Sequence, residues 1–310
     1  MKAAILINNS ASNNTGEKKW KRIKDKVLKR FPKNTIVIPY KVPFNLFHCL
    51  KKLINEKGVT CFISAGGDGS INYLLNALIK ITGRHSRNYC LGGIGLGSSN
   101  DFLKPFSDYI EGVPVKINPD FNNLTDVGKV TYTDEESEVK ARYFIVNASL
   151  GITADANLLF NKGDLFIRYM KSRSVGLTIL YTVIKTLITY KNKLITVNGG
   201  VESHKLRIAN LSLTKSPYIS GNFYYDRCPG KISGKLGFHC TGDMTKMEII
   251  RTLYDLSKGR YTGLAKRSTS FVDELDISSA DFLAMETDGE IQVGKRFSFT
   301  TIPKALCLAS

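Results

Sequence analysis

The sequence predicts an α/β domain with a mostly parallel sheet, followed by an antiparallel β-sandwich domain. Through the first third of the 310-residue chain, short apolar runs alternate with helical patterns, which is typical of parallel strands covered by helices. After about residue 120, strand-like runs follow one another with turn residues between them. We therefore expect domains at residues 1–122 and 123–294, with residues 295–310 as a segment that could complete the first domain.

The elements of the first domain follow from hydrophobic periodicity. A helix is expected where apolar residues recur at every third or fourth position, and a strand where apolar and β-branched residues run together. The expected strands are Ala3–Ile7, Thr35–Ile38, Val59–Ser64 and Leu91–Leu96, and the expected helices are Glu17–Arg30, Phe44–Glu56 and Ile71–Ile79.

The second domain is predicted to be mostly strands with two helical insertions. The expected strands are Val127–Thr133, Tyr143–Ser149, Leu194–Val197, Leu206–Leu213, Lys235–Cys240, Ser270–Ile277 and Phe282–Glu286. The expected helices are Gly176–Tyr190 and Thr245–Ser257. The first helix carries a continuous apolar stripe that we expect to pack on the β-sandwich, made of Leu177, Leu180, Tyr181, Ile184, Leu187 and Ile188. The acidic segment Asp134–Glu138 is expected at an exposed hairpin tip.

Composition points to anionic partners and to a reducing compartment. Lysine and arginine outnumber aspartate and glutamate by 44 to 27, which gives a formal net charge of +17. Such a surplus favours phosphorylated small molecules, an acidic membrane surface or nucleic acid, although a merely lysine-rich surface is an equal alternative. Six scattered cysteines without a C-x-x-C pair, and no secretion signal at the start of the sequence, make a cytoplasmic location the expectation.

The segment A-G-G-D-G-S, residues 65–70, lies between an expected strand and an expected helix. Glycine lets a ligand approach the main chain closely, and a helix start offers free N–H groups and partial positive charge. This arrangement is typical of phosphate binding, although a tight strand-to-helix turn would use the same residues. The sequence lacks the G-K-[ST] of the P-loop.

A second glycine-rich loop follows the next expected strand, where residues 91–102 read L-G-G-I-G-L-G-S-S-N-D-F. The carboxyl ends of two parallel strands would then face one crevice, which is where open α/β sheets bind ligands. Asp68 and Asp101, one in each loop, are candidates to hold Mg²⁺ or its waters against a triphosphate. For Asp101, a helix N-cap ahead of Phe102 is the alternative.

The third segment is M-E-T-D-G-E-I-Q-V at residues 285–293. Asp288-Gly289 between two strand-like runs is a strong hairpin-turn signal. A carboxylate on such a turn could also accept the proton of a hydroxyl that attacks a γ-phosphate.

In this order the three motifs resemble those of the diacylglycerol kinase catalytic family, which includes bacterial lipid kinases and sphingosine kinases. They are G-G-D-G-S-I-N-x-x-x-N from Gly66 to Asn76, G-S-x-N-D-F from Gly97 to Phe102, and D-G-E from Asp288 to Glu290. The resemblance implies an N-terminal nucleotide-binding domain of the type shared with NAD kinase, a C-terminal β-sandwich for the lipid substrate, and ATP in the cleft between them.

The resemblance also implies roles for particular residues. Glu290 would be the proton acceptor and Asp288 would support it. Asp68, Asp101 and Asp126 would join the Mg²⁺–water network. The ATP-binding residues would be Gly66, Gly67, Asp68, Gly69, Ser70, Ile71, Asn72, Ser98 and Asn100.

Several positions depart from the family pattern and indicate a divergent member. Ser70 and Ser98 stand where threonine is usual, Tyr73 where glutamate is usual, and Tyr40 where bacterial members place a threonine. Ser233 stands where many members have an aspartate that binds a structural Mg²⁺, so we do not expect that second metal site.

The sequence therefore predicts an ATP- and Mg²⁺-dependent lipid kinase with diacylglycerol as the default acceptor. The alternatives are a soluble NAD kinase-like enzyme and an inactive nucleotide- or lipid-binding relative. The expected partners are ATP and a lipid alcohol at an anionic membrane surface, which the cytoplasmic protein would visit peripherally. The basic segment Lys162–Arg173 is the candidate for that contact. Nucleic acid is not expected as a partner, and a homodimer is left open.

Overall fold

A computed structural model of the chain describes residues 2–12, 15–41, 44–162, 167, 169, 170, 173, 175–198 and 203–310. The chain divides into two compact units. Unit 1 comprises Met1–Asp126 and Pro303–Ser310, and unit 2 comprises Val127–Ile302. Most of the segment Lys162–Arg173 lies outside the described residues.

Eighteen strands and six α-helices are named in chain order within the described part. The strands are β1 Ala3–Asn8, β2 Ile36–Tyr40, β3 Cys61–Gly66, β4 Cys90–Gly95, β5 Tyr109–Ile110, β6 Val113–Lys116, β7 Leu124–Thr133, β8 Val139–Phe144, β9 Asn147–Gly151, β10 Lys193–Asn198, β11 Ser203–Ile208, β12 Asn210–Thr214, β13 Tyr218–Ile219, β14 Phe223–Tyr224, β15 Leu236–Thr241, β16 Arg267–Val272, β17 Glu274–Thr287 and β18 Glu290–Leu308. The helices are α1 Thr15–Leu28, α2 Leu46–Asn55, α3 Asp68–Thr82, α4 Ile152–Lys162, α5 Val175–Thr189 and α6 Lys246–Ser257.

Unit 1 has a mostly parallel sheet in the order β2-β1-β3-β4. The end of β18 joins it in parallel, with Cys307 opposite Cys90, and β6 pairs antiparallel with the second half of β4. Strands β3 and β4 are buried along their whole length, as expected for the centre of a parallel sheet covered by helices. This order places the ends of β3 and β4, and the two glycine loops, side by side.

Unit 2 is an antiparallel, strand-rich body. Its main run of paired strands has the order β16-β15-β12-β9-β17-β18, while β10 pairs with β11 and with the first half of β17. The pairing register shifts between Ser278 and Leu283, and beyond that shift β17 pairs with β9. The apolar core is formed by inward side chains of these strands, among them Leu150, Leu213 and Phe299.

The predicted fold class is confirmed: an N-terminal α/β unit with a mostly parallel sheet and a C-terminal antiparallel unit. The expected hairpin tip at Asp134–Glu138 does connect β7 and β8. Helix α4 was not predicted, because its sequence mixes β-branched, polar and apolar residues without a clear stripe. Three expected strands are each divided between two consecutive strands: Tyr143–Ser149, Leu206–Leu213 and Ser270–Ile277.

Helix α5 is where the sequence-based expectation is wrong. The stripe predicted to pack on the β-sandwich is largely exposed, since Leu177, Leu180, Ile184 and Ile188 are 48–61% accessible. The buried face consists instead of Thr178, Thr182 and Thr186. Only Leu187 of the stripe packs inward, against the small cluster around Met244 and Ile249, and Tyr181 is half-buried. The periodicity of the stripe was correct, but periodicity does not say which face of a helix meets the protein.

Among the described residues, no helix is long and apolar enough to cross a bilayer.

Candidate functional site

The first glycine loop is a strand-to-helix turn in which three of the five residues from Gly66 to Ser70 have no side chain. β3 ends at Gly66, Gly67 is the N-cap of α3, and the cap makes no side-chain hydrogen bond. The carbonyl oxygen of Gly67 accepts from the backbone N–H of Ser70 and of Ile71, at 3.0 and 3.2 Å. A Cβ atom on Gly66 would lie 2.4 Å from Ser70 Oγ, so a larger residue at Gly66 would collide with the first turn of α3. The start of α3 therefore presents its backbone to any ligand that enters.

The second glycine loop is locked to the first. The carbonyl oxygen of Gly66 accepts from the backbone N–H of Leu96, at 2.9 Å, and of Gly97, at 3.1 Å. A Cβ atom on Gly97 would lie 2.5 Å from the Cα atom of Gly67, so the two backbones approach as closely as glycines allow. The carboxylate Oδ1 of Asp68 accepts from the N–H of Phe102 at 3.0 Å. The two motifs that are 30 residues apart in the sequence thus form one structure.

The hydroxyl of Ser70 connects this structure to the first two strands of the sheet. It accepts from the Asn8 side-chain amide at 2.8 Å and forms a hydrogen bond with the Tyr40 phenol. Burial raises the pKa of Tyr40 to about 12, so the phenol stays protonated near neutral pH. The sequence singled out Tyr40 only as a departure from the family pattern. Its contact with Ser70 was not predicted, because nothing in the sequence indicates which residues of β2 and α3 meet.

The three aspartates predicted near the metal have different surroundings. Asp68 is half-buried in the first turn of α3. Asp101 is buried, does not cap a helix, and forms an ion pair with Lys104 at 2.7 Å. Asp126 is fully buried, and its Oδ1 accepts from the backbone N–H of Lys304 at 2.9 Å. Among the described residues, these three do not form a cluster with ligand atoms within 4.8 Å of one another.

Side chains with these partners do not fit a direct three-carboxylate metal cage. The arrangement instead fits a metal ion held by one carboxylate, the partly accessible one of Asp68, beside a backbone that can bind phosphate. Mg²⁺ commonly binds in this way, through one or two carboxylates together with phosphate oxygens and water.

The predicted nucleotide-binding residues come together, but not all can offer a side chain. The five residues Gly66 to Ser70 and the exposed Ser98 line the two loops. Ile71 is buried against the centre of the sheet near Gly93, and the Asn72 side chain accepts from the Asn76 amide at 3.1 Å. Asn100 is buried in a left-handed conformation, with φ +53°, and its amide donates to the carbonyl oxygen of Gly97 at 3.3 Å. The side chains of Ile71, Asn72 and Asn100 are therefore buried, and those of Asn72 and Asn100 have hydrogen-bond partners within the protein.

In unit 2, Asp288 and Gly289 form the expected hairpin turn between β17 and β18. Both residues have positive φ, +46° and +92°, as a two-residue type I′ turn requires. The Asp288 carboxylate is buried and accepts from three consecutive backbone N–H groups, those of Ile145, Val146 and Asn147, each at 2.9 Å. This carboxylate anchors the turn and has little capacity left for chemistry.

Glu286 is a buried carboxylate beside the turn that the sequence reasoning missed. It accepts from the Asn147 amide at 2.9 Å, from the Ser149 hydroxyl at 2.8 Å, and from the backbone N–H of Gly289. Burial raises its pKa to about 7, with the nearby Asp288 charge adding to the effect and the three hydrogen bonds opposing it. The one available signal was a charged residue in the otherwise apolar run that begins at Phe282.

Glu290, the predicted base, follows the turn and is exposed. The protein around its carboxyl still removes enough water to raise its pKa, and Arg142 opposes that rise. In the β17–β18 register Glu290 lies opposite Thr287, and Glu286 lies opposite Ile291. Because side chains alternate along a strand, Glu290 and Glu286 leave the hairpin on opposite faces.

A cavity of about 760 Å³ lies in unit 2, a size within the usual range of small-molecule sites. Its wall is partly apolar and partly charged. The apolar side chains are Leu158, Leu159, Phe282, Ala284 and Val293, the charged ones are Glu135, Asp155, Lys191 and Lys193, and Thr186, Thr189 and Tyr190 complete the lining. Ala284 and Val293 are register partners that lie two residues farther from the turn than the pair Glu286 and Ile291. The cavity therefore lies on the same face of the hairpin as Glu286.

Residues 2–130 match the family model described as the diacylglycerol kinase catalytic domain. The resemblance predicted from the motifs is thereby confirmed: this part of the chain is similar to the diacylglycerol kinase catalytic domain, as a divergent relative.

Solved structures show the same fold over nearly the whole chain. A candidate diacylglycerol kinase from Bacillus anthracis str. Sterne superposes with a TM-score of 0.67 at 14% identity, covering 99% of this chain and 96% of that one. A diacylglycerol kinase from the same strain gives a TM-score of 0.63 at 12% identity, with the same coverage. A yeast NADH kinase in complex with NADH is more remote, with a TM-score of 0.47 at 8% identity, 99% coverage of this chain and 82% of that one. No curated protein matches the sequence.

Proposed function

We propose that the protein is an ATP- and Mg²⁺-dependent lipid kinase that transfers the γ-phosphate of ATP to a lipid hydroxyl, with diacylglycerol as the default acceptor. The observation that carries this proposal is the pair of interlocked glycine loops at the start of α3. Their backbones approach to within a distance that excludes a Cβ atom, and they leave N–H groups and a helix N-terminus accessible to phosphate.

The nucleotide half of the reaction belongs to unit 1. Gly67 and Gly69 offer main-chain N–H groups to the phosphates, and the exposed Ser98 offers its hydroxyl. Asp68 is the residue that fits Mg²⁺, directly or through a water, and the bound ion would neutralise phosphate charge. Asp101 and Asp126 act at a distance, by holding the second loop and the chain at Lys304.

The acceptor half belongs to unit 2. The lipid oxygen attacks the γ-phosphorus, a new P–O bond forms as the bond to ADP breaks, and Glu290 takes the hydroxyl proton. Glu290 suits this role better than Glu286, because it is exposed, whereas the Glu286 oxygens already accept three hydrogen bonds. Asp288 fixes the turn that carries Glu290. The apolar part of the wall of the 760 Å³ cavity suits an acyl chain; it consists of Leu158, Leu159, Phe282, Ala284 and Val293. Because the cavity lies on the Glu286 face of the hairpin, the lipid would pass the edge of the hairpin for its hydroxyl to reach Glu290 on the other face.

This assignment implies that the enzyme works at a lipid surface without spanning it. Diacylglycerol remains in the bilayer, so a cytoplasmic enzyme must bind the surface reversibly to reach it. The net charge of +17 favours membranes that contain anionic lipids.

The test has two parts, nucleotide binding and phosphate transfer. Calorimetry with a non-hydrolysable ATP analogue and Mg²⁺ should show binding to the wild type and at least tenfold weaker binding to Asp68→Ala. The control variant Asp25→Ala removes an exposed carboxylate from α1 and should bind like the wild type. Transfer from γ-labelled ATP is then offered a lipid extract, purified diacylglycerol and NAD in parallel.

Each outcome separates the proposal from its alternatives. Label in diacylglycerol supports the proposal, while label in NAD alone would identify an NAD kinase-like enzyme. Binding without any transfer would identify an inactive relative, and absence of nucleotide binding would refute the proposal altogether.

A further inference from the structure

Helix α5 has its polarity reversed relative to a helix packed on a protein core. Thr178, Thr182 and Thr186, spaced by four residues, are 0–4% accessible. The opposite face carries a broad set of exposed apolar side chains, 40–61% accessible: Leu177, Ile179, Leu180, Val183, Ile184 and Ile188. Among the described residues, the Thr182 and Thr186 hydroxyls have no hydrogen-bond partner. A helix that buries hydroxyls and exposes this much apolar surface is expected to contact a membrane or another protein with its outer face.

The sequence around α5 has a large excess of positive charge. Residues 161–196 contain one acidic residue, Asp164, against seven basic ones: Lys162, Arg168, Lys171, Arg173, Lys185, Lys191 and Lys193. Among the described basic residues, the Lys185 ammonium lies 5.7 Å from the Tyr181 ring centre, and Arg173 lies 5.1 Å from the centre of the exposed Tyr169 ring. Basic residues with aromatic neighbours beside an apolar face suit the headgroup region of an anionic bilayer.

The length of α5 fits a helix that lies in the plane of a membrane surface. Its 15 residues span about 22 Å at 1.5 Å per residue. That is too short to cross a hydrocarbon core, which needs about 20 residues. The helix instead combines an apolar side with flanking charge, which is the pattern of interfacial helices.

The inner side of the same helix lines the cavity. Thr186 and Thr189, near the end of α5, and Tyr190, directly after it, are among the lining residues. A lipid that leaves a bilayer at the outer face of α5 would therefore meet the cavity on the other side of a single helix.

We infer that the apolar face of α5, defined by Leu177, Leu180, Ile184 and Ile188, docks onto an anionic lipid bilayer. That the membrane also supplies the substrate rests on the proposed function. The docking itself rests on the exposure of these side chains and on the charge around α5. The inserted side chains supply affinity, while the flanking cations select anionic lipid.

The test measures vesicle binding without ATP, so that it does not depend on catalysis. Wild type should sediment with vesicles of phosphatidylglycerol and phosphatidylcholine, and much less with phosphatidylcholine alone. The double variant Leu180→Ser, Ile184→Ser should bind the anionic vesicles at least tenfold more weakly, since two apolar side chains no longer insert. The matched control Ile232→Ser, Leu264→Ser removes two other exposed apolar side chains and should bind like the wild type.

Equal binding by the double variant and the wild type would overturn the inference. A wild type that ignores vesicles but forms dimers, which the double variant loses in light scattering, would overturn it too and assign the face to a second copy of the chain. If the double variant does not fold, Leu177→Ser, Ile188→Ser asks the same question. Transfer to a dispersed short-chain diacylglycerol separates the two hypotheses: transfer without vesicle binding overturns the docking alone, and vesicle binding without transfer overturns the kinase assignment alone.

Discussion

Replacing Glu286 by glutamine should change how the stability of unit 2 depends on pH. Glu286 is 4% accessible, and burial raises the pKa of its carboxyl from the ordinary 4.5 to about 7. The folded state therefore favours the protonated carboxyl. Its contribution to stability is fully present below pH 4.5, decreases as the pH rises to about 7, and is constant above that value.

The size of this effect follows from the two pKa values. A tenfold change in a proton-binding equilibrium corresponds to about 1.4 kcal/mol. A rise in the Glu286 pKa from 4.5 to about 7 therefore corresponds to about 3 kcal/mol in the free energy of unfolding. Glutamine cannot ionise and occupies nearly the same volume. Its oxygen can still accept from Gly289, and its amide can donate to the Ser149 hydroxyl, which is able to act as an acceptor.

The assay is urea unfolding of wild type and Glu286→Gln at pH 5, 6, 7 and 8, followed by far-ultraviolet circular dichroism. The single tryptophan, Trp20, lies in unit 1, so its fluorescence would not report on unit 2. Between pH 5 and pH 8 the wild type should lose about 2–3 kcal/mol relative to the variant, because part of the effect is already lost at pH 5. Parallel pH profiles for the two proteins would refute the reasoning. Glu274→Gln, at an exposed position, should retain the wild-type profile.

Three further predictions test separate parts of the site. Gly97→Ala puts a Cβ atom 2.5 Å from the Gly67 Cα atom and should weaken ATP-analogue binding at least tenfold, as measured by calorimetry. Gly67→Ala should weaken binding less, because its Cβ atom has its closest contact at 3.3 Å. Equal effects of the two variants would contradict the interlocking of the loops. Asp288→Asn keeps a residue that tolerates positive φ but removes the charged acceptor of three N–H groups. Thermal unfolding should therefore show a stability lower by about 2–4 kcal/mol. An unchanged melting temperature would contradict the anchoring role of Asp288. Ala284→Phe should raise the KM for long-chain diacylglycerol and leave ATP-analogue binding unchanged; an unchanged KM would exclude the cavity as the acyl site.

The sequence was sufficient for the features that depend on local pattern. Strand-and-helix alternation predicted unit 1, the period of apolar residues predicted α3, and Asp288-Gly289 predicted the hairpin turn. These features have causes within a few residues of chain, namely burial, helical period and the backbone angles that glycine and aspartate tolerate.

Features that depend on which residues meet across the fold could not be predicted in this way. The burial of Asp126 beside Lys304 and the hydrogen bonds of Glu286 with Asn147 and Ser149 arise from packing between distant parts of the chain. Helix α5 is the clearest case, because an apolar stripe predicts a helix facing something apolar and leaves open whether that is protein or lipid.

The most direct test of the account is transfer of label from γ-labelled ATP into diacylglycerol by the wild type, Asp68→Ala, Glu290→Gln and Glu274→Gln. We expect labelled phosphatidic acid from the wild type and Glu274→Gln. We expect at least a hundredfold less from Asp68→Ala and Glu290→Gln, with ATP-analogue binding retained by Glu290→Gln. Full transfer by Glu290→Gln would contradict its role as the base, and no labelled lipid from the wild type would contradict the kinase assignment itself.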